Sequence, residues 1–177
     1  MKTTLSVLVE NHAAVLSKVV GLFSRRGFNI DSLAVGETED STISRITIVV
    51  DGDEHMVEQI EKQLNKVIPV IKVKRLVEGK YISRMLTFFK VSFAASRRSE
   101  LMKIAELMGA RIVDVSKSTL TLEFTDTAER TETLESLLKP YGIKEVVRTG
   151  AIAIEKGEAV TRSQKRQKGP EDAAYIA

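Results

Sequence analysis

TLSVLVENHAAVLSKVVGLFSRRGFNIDSL, residues 4–33, changes its hydrophobic period twice within thirty positions. Residues 4–9 alternate apolar with polar and include β-branched side chains, the pattern of a strand. Residues 13–26 place Leu16, Val19, Val20 and Phe23 on one face of a helix. Gly27 then follows Arg25 and Arg26. Glycine accepts the left-handed backbone that helix stops commonly need, and the two cations face the negative end of the helix dipole. Asn11 is predicted to cap the helix start. Backbone amides just beyond such a cap point outward with positive partial charge and can hold a carboxylate.

Working outward, FNIDSLAVGE (28–37) and SRITIVVD (44–51) are β-rich segments joined by TEDST, whose polar turn formers suit a hairpin. Asp53 is placed to cap a second helix reaching about residue 66, with Met56, Ile60 and Leu64 four apart on one face. Pro69 breaks that pattern before VIKVKRLV (70–77). The order β-α-β-β-α-β predicts two helices on one face of a four-stranded antiparallel sheet, the ferredoxin-like unit.

The same order recurs about 80 residues later. EGKYIS (78–83) reads as a linker, MLTFFKVSF (85–93) as a strand and SRRSELMKIAELM (96–108) as a helix burying Leu101, Ile104, Leu107 and Met108, stopped by Gly109. ARIVDVSK (110–117) and TLTLEFTD (119–126) form a strand pair. Asp126 with Glu129 has the spacing of a capping box opening a helix that buries Leu134, Leu137 and Leu138. Pro140 and Gly142 end it before IKEVVRTG (143–150), with AIAIEK (151–156) as an extension of that strand. The predicted class is α+β, two ferredoxin-like βαββαβ domains at 1–78 and 84–156, with a linker at 79–83. Residues 157–177 offer few large apolar side chains to offset ordering entropy and read as a disordered tail.

Composition narrows the chemistry. The 177 residues include no Cys, no Trp and two His, which removes thiolate metal sites, iron–sulfur clusters and Cys nucleophiles. No Gly-rich phosphate loop, EF-hand spacing or Ser/His/Asp set is present. The formal charge of +3 invites a nucleic-acid reading. Residues 1–78, however, carry ten basic and eleven acidic side chains against thirteen and ten in 79–156, so the surplus is diffuse. The strands also lack the basic-Gly-aromatic signature of RNA-recognition modules. No segment has the roughly 18 uninterrupted apolar residues of a membrane span, so neither nucleic acid nor membrane is expected as a partner and a cytoplasmic location is.

NHAAVLSKVVGLFSRRGFNIDSLAVGETED, with SRITIVVDGDE and VEQIEKQLNKVIPV after it, closely resembles the regulatory small subunit of acetolactate synthase (acetohydroxyacid synthase). ARIVDVS (110–116) and RTGAIAI (148–154) extend the resemblance to about residues 3–156. It implies an amino-terminal ACT domain, an amino-acid-sensing βαββαβ module, followed by a ferredoxin-like second domain. It also implies a non-catalytic chain that dimerises through its ACT domain and serves a catalytic large subunit. That subunit carries thiamine diphosphate, Mg²⁺ and FAD and condenses pyruvate with pyruvate or 2-oxobutyrate. No cofactor is implied for this chain.

The implied effector is valine, leucine or isoleucine, bound where two ACT domains meet. Asn11, Asn29 and Gln59 match the family's effector-site positions, and Gly36 falls where the family has a small residue. Ala14 departs from the family's usual glycine: a methyl there either crowds an effector carboxylate or is tolerated where φ is negative. With the amides of Ala13, Ala14, Val15 and Leu16 for a carboxylate, Asn11 and Asn29 for polar contacts, and Val15 or Ile30 for an apolar slot, the set matches an α-amino acid. Two other readings stay open on the sequence: a stand-alone amino-acid sensor acting on another partner, and a small ferredoxin-like hydrolase. The first lacks a recognisable helix-turn-helix and the second an arginine-containing anion loop after the first strand.

Overall fold

The computed structural model describes residues 1–162. The first domain runs β1 (Lys2–Glu10), α1 (Val15–Arg26), β2 (Ser32–Glu37), β3 (Ile43–Asp51), α2 (Glu54–Leu64) and β4 (Val70–Arg75). The second runs β5 (Tyr81–Ser92), α3 (Arg98–Met108), β6 (Arg111–Val115), β7 (Thr119–Asp126), α4 (Ala128–Leu138) and β8 (Ile143–Arg148), followed by β9 (Ile152–Glu155). The sheets are antiparallel, ordered β2-β3-β1-β4 and β6-β7-β5-β8, with the expected duplication of βαββαβ.

Alternation along the strands explains the two faces of the first sheet. Leu5, Val7 and Val9 of β1 and Ile46, Ile48 and Val50 of β3 are buried against Val15, Val19, Leu22 and Phe23 of α1 and Val57, Ile60 and Leu64 of α2. In the second domain Phe89, Val91, Leu120, Leu122 and Phe124 meet Leu101, Ala105, Leu134 and Leu138 in the same way. Gly27 and Gly109 end α1 and α3 with φ of 67° and 76°, as their positions predict. The Asp53 carboxylate accepts the Met56 amide at 2.8 Å and caps α2.

Several expectations are corrected. Leu16, Leu107 and Leu137 point to solvent, Leu107 being 85% exposed. The helices tilt so that Val15, Ala105 and Thr131 take inward positions instead. Thr127, not Asp126, caps α4 by accepting the Arg130 amide, while Asp126 accepts the Thr127 amide and pairs with Arg130 at 2.5 Å.

The largest correction concerns the linker. Residues 81–83 are not a connector: β5 begins at Tyr81, and its first four residues pair with β9, Tyr81 opposite Glu155 and Arg84 opposite Ile152. AIAIEK is therefore not an extension of β8 but half of a two-stranded ribbon. That ribbon lies on the face of the first sheet opposite the helices, where Thr4, Ser6 and Thr47 are buried. Tyr81 OH meets Thr4 Oγ1 at 3.2 Å, the Ala151 amide donates to Ser32 Oγ at 2.8 Å, and Lys74 Nζ pairs with Glu155 at 2.7 Å.

The start of the predicted tail is likewise ordered. Thr161 is buried, its carbonyl accepts Arg45 Nη2 at 2.9 Å and its hydroxyl donates to Glu155 at 3.1 Å. Residues 163–177 of the predicted tail lie outside the described residues.

Candidate functional site

The loop from β1 to α1 is held by Asn11. Its backbone amide donates to the Thr42 carbonyl at 2.7 Å, and its side-chain Nδ2 donates to Glu37 Oε1 at 3.1 Å and to the Ser41 carbonyl at 2.8 Å. Asn11 thus ties the end of β1 to the β2–β3 hairpin and leaves its Oδ1 to accept from an ammonium. It does not cap α1. The cap position is Ala14, at φ 68° and ψ −1°, and no side chain accepts from the first turn of the helix. The Val15 amide reaches the His12 carbonyl at 3.5 Å, which leaves the Leu16 and Ser17 amides open to a ligand carboxylate.

Ala14 is the one non-glycine residue at positive φ among the described residues. The negative φ that would let a methyl sit there without cost is absent. A left-handed alanine costs roughly 1 kcal/mol or more against glycine. Ala14→Gly is expected to raise unfolding stability by about 1 kcal/mol, read as a higher urea midpoint at unchanged m-value.

Asn29 lies beyond the other end of the same strand. It follows α1, its Nδ2 donates to Asp31 Oδ1 at 3.0 Å, and the Asp31 amide bonds the Val49 carbonyl at 2.9 Å. Asn11 is bonded to Glu37 at the end of β2 and Asn29 stands before its beginning, so the length of β2 separates them in one chain. Val15 is buried in the core, Ile30 packs against it, and Ala13 and Leu16 are exposed at the helix start. Gln59 sits on the exposed face of α2 bonded to His55 Nε2 at 2.9 Å. Gly36 lies on β2 beside Arg45 of β3, on the sheet face turned towards the ribbon and away from the helix start. One chain therefore gathers Ala13 to Leu16 with Asn11, and it does not gather Asn29, Gly36 or Gln59 with them.

The outer edge of β2 pairs with no strand among the described residues. Arg45 is a residue that sequence reasoning did not single out as functional. The available signal was a guanidinium in the middle of an otherwise apolar strand. Among the described residues, no group of three His, Asp or Glu side chains is placed to hold a metal ion, and no helix is long and apolar enough to cross a membrane.

Residues 5–72 match the AHAS small subunit-like ACT domain and residues 84–157 the small subunit of acetolactate synthase. The chain is 46% identical over 157 residues to a probable acetolactate synthase small subunit of Archaeoglobus fulgidus, covering 89% of this chain and 98% of that one. It is 48% identical to the acetolactate synthase small subunit of Mycolicibacterium smegmatis, covering 87% and 91%. The crystal structure of the Thermotoga maritima small subunit superposes with a TM-score of 0.82 at 35% identity, covering 90% of this chain and 99% of that one. With both domains matched in order and nearly the whole length of these relatives spanned, the chain belongs to the acetolactate synthase small-subunit family.

Proposed function

We propose that this chain is the non-catalytic regulatory subunit of a cytoplasmic acetolactate synthase in branched-chain amino-acid synthesis. It raises the activity of a large subunit that holds thiamine diphosphate, Mg²⁺ and FAD, and it lowers that activity when valine, leucine or isoleucine binds. The observation that supports this reading is the placement of Asn11 and Asn29 at opposite ends of β2, whose outer edge pairs with no strand among the described residues. Antiparallel pairing of β2 with its copy about a two-fold axis sets the Asn11 end of one chain beside the Asn29 end of the other. Each such pair offers helix-start amides for a carboxylate, amide oxygens for an ammonium and Ile30 for an aliphatic side chain. An effector that prefers one arrangement of the dimer shifts the population towards it, with a coupling of about 1–3 kcal/mol to the partner enzyme.

The test is reconstitution with a catalytic large subunit and assay of acetolactate formation. Adding this chain raises the rate, and valine or a relative lowers it. Asn11→Ala or Asn29→Ala raises the effector concentration needed by about ten- to a hundredfold, the worth of one hydrogen bond to a charged group. No stimulation, together with no response to any of the three amino acids, would overturn the reading.

A further inference from the structure

Between the ribbon and the first sheet lies a cavity of about 530 Å³, floored by β2 and β3 and walled by β5 and β9. We propose that this cavity is a second small-molecule site, one that takes a monocarboxylate with an aliphatic body.

Arg45 supplies the polar anchor. Its guanidinium is partly buried and fixed by two neutral oxygens: Nη1 donates to Ser6 Oγ at 3.2 Å and Nη2 to the Thr161 carbonyl at 2.9 Å. Two of its five N–H donors are thereby used, and no carboxylate pairs with it among the described residues. A partly desolvated cation without a counter-charge favours an anion beside it, and a carboxylate matches the planar fork best. Arg84, whose Nη1 donates to the Ser83 carbonyl at 2.7 Å, also lines the ribbon side.

The walls supply the rest. Ile82, Ile152 and Ile154 line the cavity and are 45%, 62% and 63% exposed, large aliphatic surfaces left uncovered by their own domain. Gly36 keeps the floor open, since a Cβ there would meet nothing within 4 Å. The volume falls within the 300–1,000 Å³ usual for small-molecule sites. Glu37 and Glu39, both exposed, also line it and disfavour a phosphate dianion more strongly than a monoanion. Neither Asn11 nor Asn29 lines the cavity, although Gly36 and Glu37, the latter bonded to Asn11, belong to its lining. Because floor and wall come from different domains, an occupant bridges them.

The probe is isocaproate, an aliphatic monocarboxylate without an amino group, titrated into the full chain with the isoleucine methyls and Arg45 Nε followed by NMR. The expected result is saturable shifts of Ile82, Ile152, Ile154 and Arg45 with a Kd on the order of 1 mM. Arg45→Gln weakens binding about tenfold or more. Because Arg45 also holds Ser6 and Thr161, a second variant, Ala34→Trp, fills the cavity from the floor and leaves those bonds in place. It too abolishes the shifts. Absence of saturable shifts up to about 50 mM, equal affinity in Ala34→Trp, or equal shifts with inorganic phosphate would each overturn the proposal. None of these outcomes depends on whether valine acts at the Asn11–Asn29 site.

Discussion

Gly150→Ala is expected to destabilise the chain by about 2–4 kcal/mol, far more than a glycine-to-alanine change in an ordinary loop. A Cβ at Gly150 would stand 2.1 Å from the Leu33 carbonyl oxygen and 2.4 Å from its carbon. Both are backbone atoms of β2 and cannot swing aside as a side-chain end does. At Gly52 the obstacle is the Met56 side-chain tip, and a rotamer change relieves it. At Gly150 the ribbon itself must lift, breaking the hydrogen bond from the Ala151 amide to Ser32 Oγ and uncovering Thr4, Ser6 and Thr47. Urea unfolding checks the magnitude. Faster exchange of the Ala151 amide, with the amides of β1 and β3 in the core unchanged, identifies the junction as the damaged part. Full stability in Gly150→Ala would show that the domains are not pressed together as described.

The second large effect concerns Glu155, which receives both Lys74 Nζ and the Thr161 hydroxyl between the domains. The Lys74 ammonium, then the Thr161 hydroxyl, hold its carboxyl below the ordinary glutamate value, with partial burial acting in the opposite direction. A lowered carboxyl pKa in the folded state means that stability is present above the unfolded value of about 4.3. It is lost as pH falls through the lower folded value. Glu155→Gln keeps the shape and removes the charge, so it is expected to cost about 1.5–3 kcal/mol near pH 7. The gap between the two proteins should close on the acid side of the carboxylate range. Urea midpoints of wild type and Glu155→Gln across the acid range test this, and a gap independent of pH would refute the charge as its source.

Much of the fold was legible because its signals are local. The alternation in β1, the glycine stops at Gly27 and Gly109, the TEDST hairpin and the Asp53 cap each depend on a few neighbouring residues. What escaped depends on distant partners. Tyr81–Arg84 and Ile152–Glu155 are each four residues of unremarkable sequence, and they become strands only because they find each other some seventy positions apart. Thr161 is ordered by Arg45 and Glu155 rather than by anything in its own segment. Helix starts were misread where two acceptable caps compete. Asn11 is a good cap by type, yet its side chain is claimed by Glu37 and Ser41, and the turn closes at Ala14 instead. The candidate site was legible residue by residue through its resemblance to a family. Its division between the two ends of β2 was not, because separation along a strand appears only once the loops flanking it have been placed.

The ribbon also fixes a sequence of events during synthesis. The ACT sheet is complete once Arg75 has emerged, yet its polar face is covered by residues 81–84 and 150–161. The covering strand β9 is made only after the second domain's last core strand. A growing chain on the ribosome therefore carries a finished helix-side core with its opposite face wet until nearly the whole protein has been translated. Thr4, Ser6, Thr47, Arg45, Lys72 and Lys74 surround Leu8 and Val49 on that face and suit the wait, since they keep an unfinished chain soluble where a wholly apolar face would invite aggregation.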